Sequence, residues 1–239
     1  MSHLAVVILA AGKSTRMKTQ VPKHLHQLAG RPMLEHVLCA ARALGPERLV
    51  LVVGYGADQV RSAYADAGVE FVLQEPQLGT GHALLVAGGA LAGHRGPVLC
   101  LYGDTPLLRG ETLQELLTAY QPGVAAVLLT AVVDDPSGLG RVLRHKQYKE
   151  KVVGIIEERD ATLEQKAIRE VNAGPAVYGP EVFQALTQLS RANAQGEIYL
   201  TDLVQCSVAG GREVRAVVLQ DPQEALGVNN RAELARAEQ

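Results

Sequence analysis

Lys13, Arg16, Lys18 and Lys23 fall close together in a stretch that contains no Asp or Glu before Glu35. They follow Leu9-Ala10-Ala11-Gly12, the small-residue exit from an apolar run, Leu4 to Leu9, that reads as a buried strand. A positive, glycine-containing turn at a strand end is a place to hold phosphate. Ala and Gly leave room for backbone N–H groups to point inward, and the cations neutralise what those amides cradle. A carboxylate in this segment would oppose the same charge. The second chemical feature is Asp104, which follows the apolar run Val98–Tyr102 and Gly103. A carboxylate at a strand end near a phosphate-binding turn suits Mg²⁺, which takes a few protein oxygens and shares phosphate oxygens and water. Alternatively, Asp104 caps the turn at Thr105-Pro106.

Other residues carry weaker signals. Gln74 offers both a donor and an acceptor to a base edge, or is an exposed loop residue. Gly79-Thr80-Gly81 lets backbone approach a flat base, or opens a helix with Thr80 as its N-cap. His82 reads as a helix-start or core histidine, and His24 and His26 as packed or solvated. Thr201 or Asp202 reads as a helix cap. Two familiar phosphate motifs fail. G-x-x-x-x-G-K-[ST] would need glycine at Val7, and G-x-G-x-x-G would need it at Ser14 and Met17. Both an ATPase of that type and a nicotinamide-dependent dehydrogenase are disfavoured.

The elements that must position these groups alternate in the first half. Strands are expected at 4–9, 48–53, 70–73 and 98–102, and helices at 32–44, 57–67 and 80–91. Near-continuous apolar strands in a βαβα order predict a parallel sheet with helices on both faces. Ligands bind beyond the carboxyl ends of such strands, where the cationic turn, Gln74 and Asp104 would converge. In the second half, strands are expected at 124–133, 171–178 and 214–219. A hairpin of 141–144 and 152–157 has a polar connection too long for a two-residue turn. Helices are expected near 181–189, 200–208 and 231–238. The expected fold is α/β: a Rossmann-like mixed, mostly parallel sheet flanked by helices, with a smaller inserted β-rich lobe. The 239 residues are read as a single domain.

The formal net charge of -2 argues against a general nucleic-acid binder. No apolar run approaches the ~20 residues needed to cross a bilayer, and neither a membrane nor a nucleic-acid partner is expected. The three cysteines, Cys39, Cys100 and Cys206, have neither metal-ligand nor disulfide-framework spacing. With no leader-like N-terminus, a reducing, cytoplasmic location is expected.

Taken in order, these segments resemble the sugar-1-phosphate nucleotidylyltransferases, and within them the N-acetylglucosamine-1-phosphate uridylyltransferases. The family's L-A-A-G-x-G-T-R-M loop is matched by Leu9 to Met17, with Ser14 replacing the second glycine, and its P-K by Pro22-Lys23. The base-reading segment is similar at Gln74, Gln77 and Leu78 to Ala83, and Y-G-D-x-P matches Tyr102 to Pro106. G-x-G-R matches Gly138 to Arg141, I-x-E-x-x-D-A matches from Ile155 to Ala161, and E-x-N-x-G matches Glu170 to Gly174. Q-G-E-x-Y-L-T-D matches Gln195 to Asp202, and G-V-N-x-R matches Gly227 to Arg231.

The resemblance implies a nucleotide-diphospho-sugar transferase fold and a set of roles. Leu9, Ala10, Ala11 and Gly12 would hold the nucleotide through backbone groups, and Gln74 with Gly79 and Thr80 would read uracil. Tyr102 and Gly103 would lie beside the substrate. Gly140, Glu157 and Asn172 would hold the amino sugar. Asp104 and Asn229 would bind Mg²⁺, while Arg16 and Lys23 stabilise the transferring phosphate. The implied reaction is UMP transfer from UTP to N-acetylglucosamine-1-phosphate, with roles in cell-wall precursor synthesis. A different sugar or base, or a catalytically silent nucleotide-sugar sensor, are the alternatives. Bifunctional bacterial members continue into a left-handed β-helix that performs acetyl transfer. No such hexapeptide repeat occurs in these residues, so acetyl transfer is not expected of them and self-association is left open.

Overall fold

The computed structural model describes residues 3–13 and 15–239, so the departure from the family's loop at Ser14 lies outside the described residues. Strand β1, Ala5–Ala10, is buried along its whole length. Its side chains alternate between two cores. Val6, Ile8 and Ala10 pack with Leu34, Val37 and Leu38 on one face, and Ala5, Val7 and Leu9 pack with Ala83, Leu84 and Ala87 on the other. A strand covered on both faces has no polar side, which is why it reads as an unbroken apolar run.

After β1 come the short strands β2, Gln27–Leu28, and β3, Arg31–Pro32, then α1, Met33–Ala43. The order continues with β4, Arg48–Val53; α2, Ala57–Ala63; β5, Glu70–Leu73; α3, Thr80–Ala90; and β6, Val98–Tyr102. Next are α4, Gly110–Ala119; β7, Ala126–Val132; β8, Arg141–Arg144; and β9, Val152–Ile156. The chain then forms α5, Leu163–Lys166; β10, Glu170–Tyr178; α6, Val182–Leu186; α7, Asp202–Ala209; β11, Val214–Val218; and α8, Arg231–Ala237.

The main sheet runs β11-β7-β10-β6-β1-β4-β5, with β8 paired to β10 and β9 to β8. Strands β6, β1, β4 and β5 are parallel neighbours. Strand β10 runs against both β6 and β7. The second lobe is therefore continuous with the main sheet: β8 and β9 branch from β10. The antiparallel β8–β9 pair is joined by an exposed connection over residues 145–151, in which His145 Nδ1 accepts from the N–H groups of Gln147 and Tyr148. Helices α1, α2 and α4 cover one face of the sheet, and α3, α6 and α7 the other.

Several elements differ from expectation, among them the short β2–β3 pair and helix α5, which were not anticipated. Helix α2 stops at Ala63, short of Ala67. Helix α6 is one short stretch, Val182–Leu186. Helix α4 was not anticipated, although Leu113, Leu116 and Leu117 recur at helical spacing and are buried.

Candidate active site

The carboxyl ends of β1, β5 and β6 open onto one cleft of about 420 Å³, lined by residues that include Leu9, Ala11, Gly12, Lys13, Lys23, Gln74, Gly79, Thr80, Tyr102 and Asp104. The turn after β1 is held from behind. The Ala11 carbonyl accepts from Gln77 Nε2 at 2.9 Å and from the Tyr55 N–H at 3.0 Å. The opposite wall is the start of α3. Gly79 caps it with φ of 104°, and a Cβ there would meet the Ile198 carbonyl oxygen at 2.7 Å. Gly81 donates its N–H to that same carbonyl at 2.8 Å. Both glycines are required by the close backbone approach of the segment around Ile198.

The charged centre lies where β6 ends. Lys23 Nζ donates to Asp104 Oδ2 at 2.5 Å and to Asn229 Oδ1 at 3.1 Å. The lysine and aspartate side chains are only 10% and 21% exposed, so this pairing forms in a largely desolvated place. Burial pushes the Asp104 carboxyl up, but the Lys23 charge and hydrogen bond outweigh it and hold the group below its ordinary value. His24 beside it is buried and its pKa falls to about 4, through burial first and the Lys23 charge second, so it is neutral there. The far side of the centre is strapped down as well. The Val228 N–H donates to the Asp104 carbonyl at 2.8 Å, and the Asn229 N–H donates to Glu233 Oε2 at 2.6 Å. The capping reading of Asp104 gives way, because its side chain goes to Lys23 while the Thr105 hydroxyl closes the turn onto the Tyr102 carbonyl.

Two hard oxygen donors thus converge on one cationic nitrogen. Such a pair of oxygens has the donor chemistry that an Mg²⁺-like ion would also take. Among the described residues no group of three or more His, Cys, Asp or Glu clusters for metal binding. A metal held by Asp104 and Asn229 would therefore complete its shell with phosphate oxygens and water.

The second lobe contributes a different kind of surface. Glu157 accepts from the Thr201 hydroxyl at 2.8 Å, and burial first, then Asp202 and Asp160, raise its pKa despite that bond. The β10–β7 register shifts between Asn172 and Ala176. Within this bulge Asn172 Oδ1 accepts from the Gly174 N–H at 3.1 Å, and the Asn172 N–H donates to the Gly140 carbonyl at 2.8 Å. Gly174 has φ of 104°, and a Cβ there would meet the Tyr102 ring at 3.1 Å. Tyr102 links the halves: it lines the cleft, and its hydroxyl is pushed well up by burial, with both Glu157 and Asp104 adding to the effect. Arg141 is buried beneath Gly140, bonded to the Leu139 carbonyl and paired with Glu158 Oε2 at 2.6 Å.

The MobA-like NTP transferase domain matches residues 6–205. The chain belongs to that family. Three relatives, each described as the bifunctional protein GlmU, show how much of such a protein this nucleotidyltransferase chain represents. The protein from Syntrophotalea carbinolica is 50% identical over 237 residues, which are 98% of this chain and 50% of that protein. One from Thermus thermophilus is 51% identical over 234 residues, 98% of this chain and 51% of its own. One from Halalkalibacterium halodurans is 46% identical over 241 residues, 100% of this chain and 52% of its own. The chain spans about half the length of these relatives. No helix among the described residues is long and apolar enough to cross a membrane.

Measured against this cleft, the anticipated residues divide. Leu9, Ala11, Gly12, Lys23, Gln74, Gly79, Thr80, Tyr102 and Asp104 line it. Asn229 joins them through Lys23. Ala10 and Gly103 lie just behind the wall. A Cβ on Gly103 would meet His24 and Ala10, so glycine is needed for packing there. Gly140, Glu157 and Asn172 gather on the second lobe, and Arg16 lies exposed on the short Thr15–Met17 turn, outside the lining. Two capping readings are corrected. Gly79 is the cap residue of α3, and Thr80 Oγ1 instead accepts from the Leu200 N–H at 3.1 Å. The Thr201 hydroxyl caps nothing, because it is committed to Glu157. Gln77 and Glu197, which the sequence matched only as members of their motifs, are further parts of the wall.

Proposed function

We propose that this domain transfers UMP from UTP to N-acetylglucosamine-1-phosphate, forming UDP-N-acetylglucosamine and releasing pyrophosphate, with Mg²⁺ as cofactor. The observation that carries the reading is the meeting of Asp104, Asn229 and Lys23 at one point on the rim of the cleft. The likeness to GlmU proteins supports the choice of substrates.

The sugar phosphate oxygen that attacks the α-phosphorus is already an anion, so no strong general base is needed. The barrier lies in bringing two polyanions together. The β1 turn and the start of α3 hold the nucleotide through backbone groups. Gln74 reads the base, and Glu157, Asn172 and Gly140 hold the amino sugar. Positioning both reactants in one cleft turns their encounter into an intramolecular step. Lys23 releases the Asp104 carboxylate and turns its ammonium to the phosphate, with Arg16 approaching from its exposed turn. Asp104 and Asn229 would hold the Mg²⁺, which when bound would supply charge neutralisation at the phosphate oxygens.

The test is pyrophosphate release from UTP, CTP, ATP and GTP against N-acetylglucosamine-1-phosphate, glucosamine-1-phosphate and glucose-1-phosphate. UTP with the N-acetylated sugar is expected to give the highest kcat/KM. A preference for CTP would overturn the base assignment. Calorimetric binding of UDP-sugar with no turnover at saturating Mg²⁺ would favour a sensor.

A further inference from the structure

Gln74 sits on the cleft wall with its amide nitrogen already engaged. Its Nε2 donates to the Gly79 carbonyl at 2.9 Å and lies 3.2 Å from His82 Nδ1. A backbone carbonyl only accepts, so the group facing Gly79 is the NH₂ and not the oxygen. That NH₂ has two hydrogens. One goes to Gly79, and the other meets His82 Nδ1, which must then be unprotonated, with the ring proton on Nε2. Among the described residues no donor meets the remaining Oε1. The side chain of this cleft-lining residue has one unused function, an acceptor.

We propose that His82 is a positioning residue that consumes the second N–H of Gln74 and so makes Gln74 an acceptor-only reader, selecting a pyrimidine whose N3 carries hydrogen over one whose N3 is an acceptor. The inference rests on the proposed function, which places the base against Gln74. Uracil offers an N3–H donor beside the O4 acceptor, which a first-turn amide of α3 can meet. Cytosine presents the reverse pattern. Without an acceptor at His82, the second N–H of Gln74 becomes available to the N3 lone pair of cytosine, and the discrimination weakens from both sides. Burial lowers the His82 pKa, which favours the neutral ring this arrangement needs.

The test compares kcat/KM for UTP and CTP in the wild type, His82→Leu and His82→Asn. His82→Leu should lower the UTP-to-CTP ratio about tenfold, on the order of one good base-edge contact. The change should fall on nucleotide KM, with KM for the sugar phosphate unchanged. His82→Asn, whose side-chain oxygen can replace Nδ1 as acceptor, should restore most of the ratio. An unchanged ratio in His82→Leu overturns the inference while leaving the uridylyltransferase reading intact. A wild type that uses CTP as readily as UTP overturns that reading and this role together. Should the leucine variant not fold, the wild type still decides. Long-range ¹⁵N–¹H spectra of the histidine rings should show His82 protonated at Nε2 only, and a proton on Nδ1 in the neutral ring overturns the inference.

Discussion

Two of the clusters that join a largely buried carboxylate to a cation among the described residues are built differently. At the first, Asp104 meets a lysine, and that lysine also bonds Asn229. At the second, Glu224 is saturated. It accepts from the Arg109 N–H at 3.1 Å, Arg109 Nε at 2.9 Å, Arg109 Nη2 at 2.5 Å and the Thr112 hydroxyl at 2.6 Å. A guanidinium fork plus two further donors leaves that carboxylate little capacity for anything new. The ammonium is a point charge on a flexible stem, able to move from one anion to another. The Glu224 cluster clamps the Pro222–Ala225 turn to the start of α4. On the proposed function, the Asp104 cluster is a position that a metal cation takes over from Lys23. On that same function, similar residue types serve structure where every donor is committed, and chemistry where the partner is exchangeable.

Substitutions should separate the two sharply. The largest effect is expected from Asp104→Ala, which should lower turnover by at least about 10²–10³-fold, the range for removing one preorganised electrostatic group. Its thermal melting should fall far less than its turnover, because the Lys23 ammonium keeps Asn229 Oδ1 as a partner. Equal losses of activity and stability would make Asp104 structural after all. Lys23→Ala should cost about 10²-fold in turnover, yet tighten nucleotide-free Mn²⁺ binding measured by calorimetry, because the competing ammonium has gone. Weaker metal binding in that variant would show that Lys23 and the metal do not share Asp104. Glu224→Ala should invert the pattern. It strands the Thr112 hydroxyl and the Arg109 N–H at a buried position, a loss of about 1–3 kcal/mol, read as a fall in Tm of roughly 2–4 °C per kcal/mol. Its turnover at room temperature should stay within about threefold of wild type, since the clamp touches no substrate group. The Arg109 head is 58% exposed, so the ion pair itself contributes the smaller part.

The contrast also explains what could be read from the sequence. Strands β1, β4 and β6 were legible because burial on both faces leaves no polar residue to interrupt them. The β1 turn and Asp104 were legible because charge at the end of such a strand needs an explanation. Helix α4 was overlooked although its buried leucines are periodic; it opens on Gly110, a poor helix former that obscures the start. Strand β10 was anticipated, but its bulge was not, since a register shift depends on the partner strand. The Glu224 clamp left no trace in local spacing, because Thr112 lies 112 positions from its partner. His82 and Thr201 were read as plain helix-start residues for the same reason: what each does is set by Gln74 and Glu157, which come from other elements.

The smallest expected effect concerns acid. Burial pushes the Glu224 carboxyl up, but the Arg109 and Thr112 bonds outweigh it and hold the group below its ordinary value of 4.5. A carboxylate whose folded pKa is depressed adds stability above its unfolded value, and that contribution is lost as pH falls through the folded one. Glu224→Gln keeps an acceptor oxygen but removes the titration. The Tm difference between wild type and Glu224→Gln should therefore be constant near neutrality and shrink only below the ordinary value of 4.5. A gap that stays the same down to about pH 3 would mean that the ionised form of Glu224 gains nothing from its donors. The contrast would then rest on the number of hydrogen bonds alone, and not on the charge they hold.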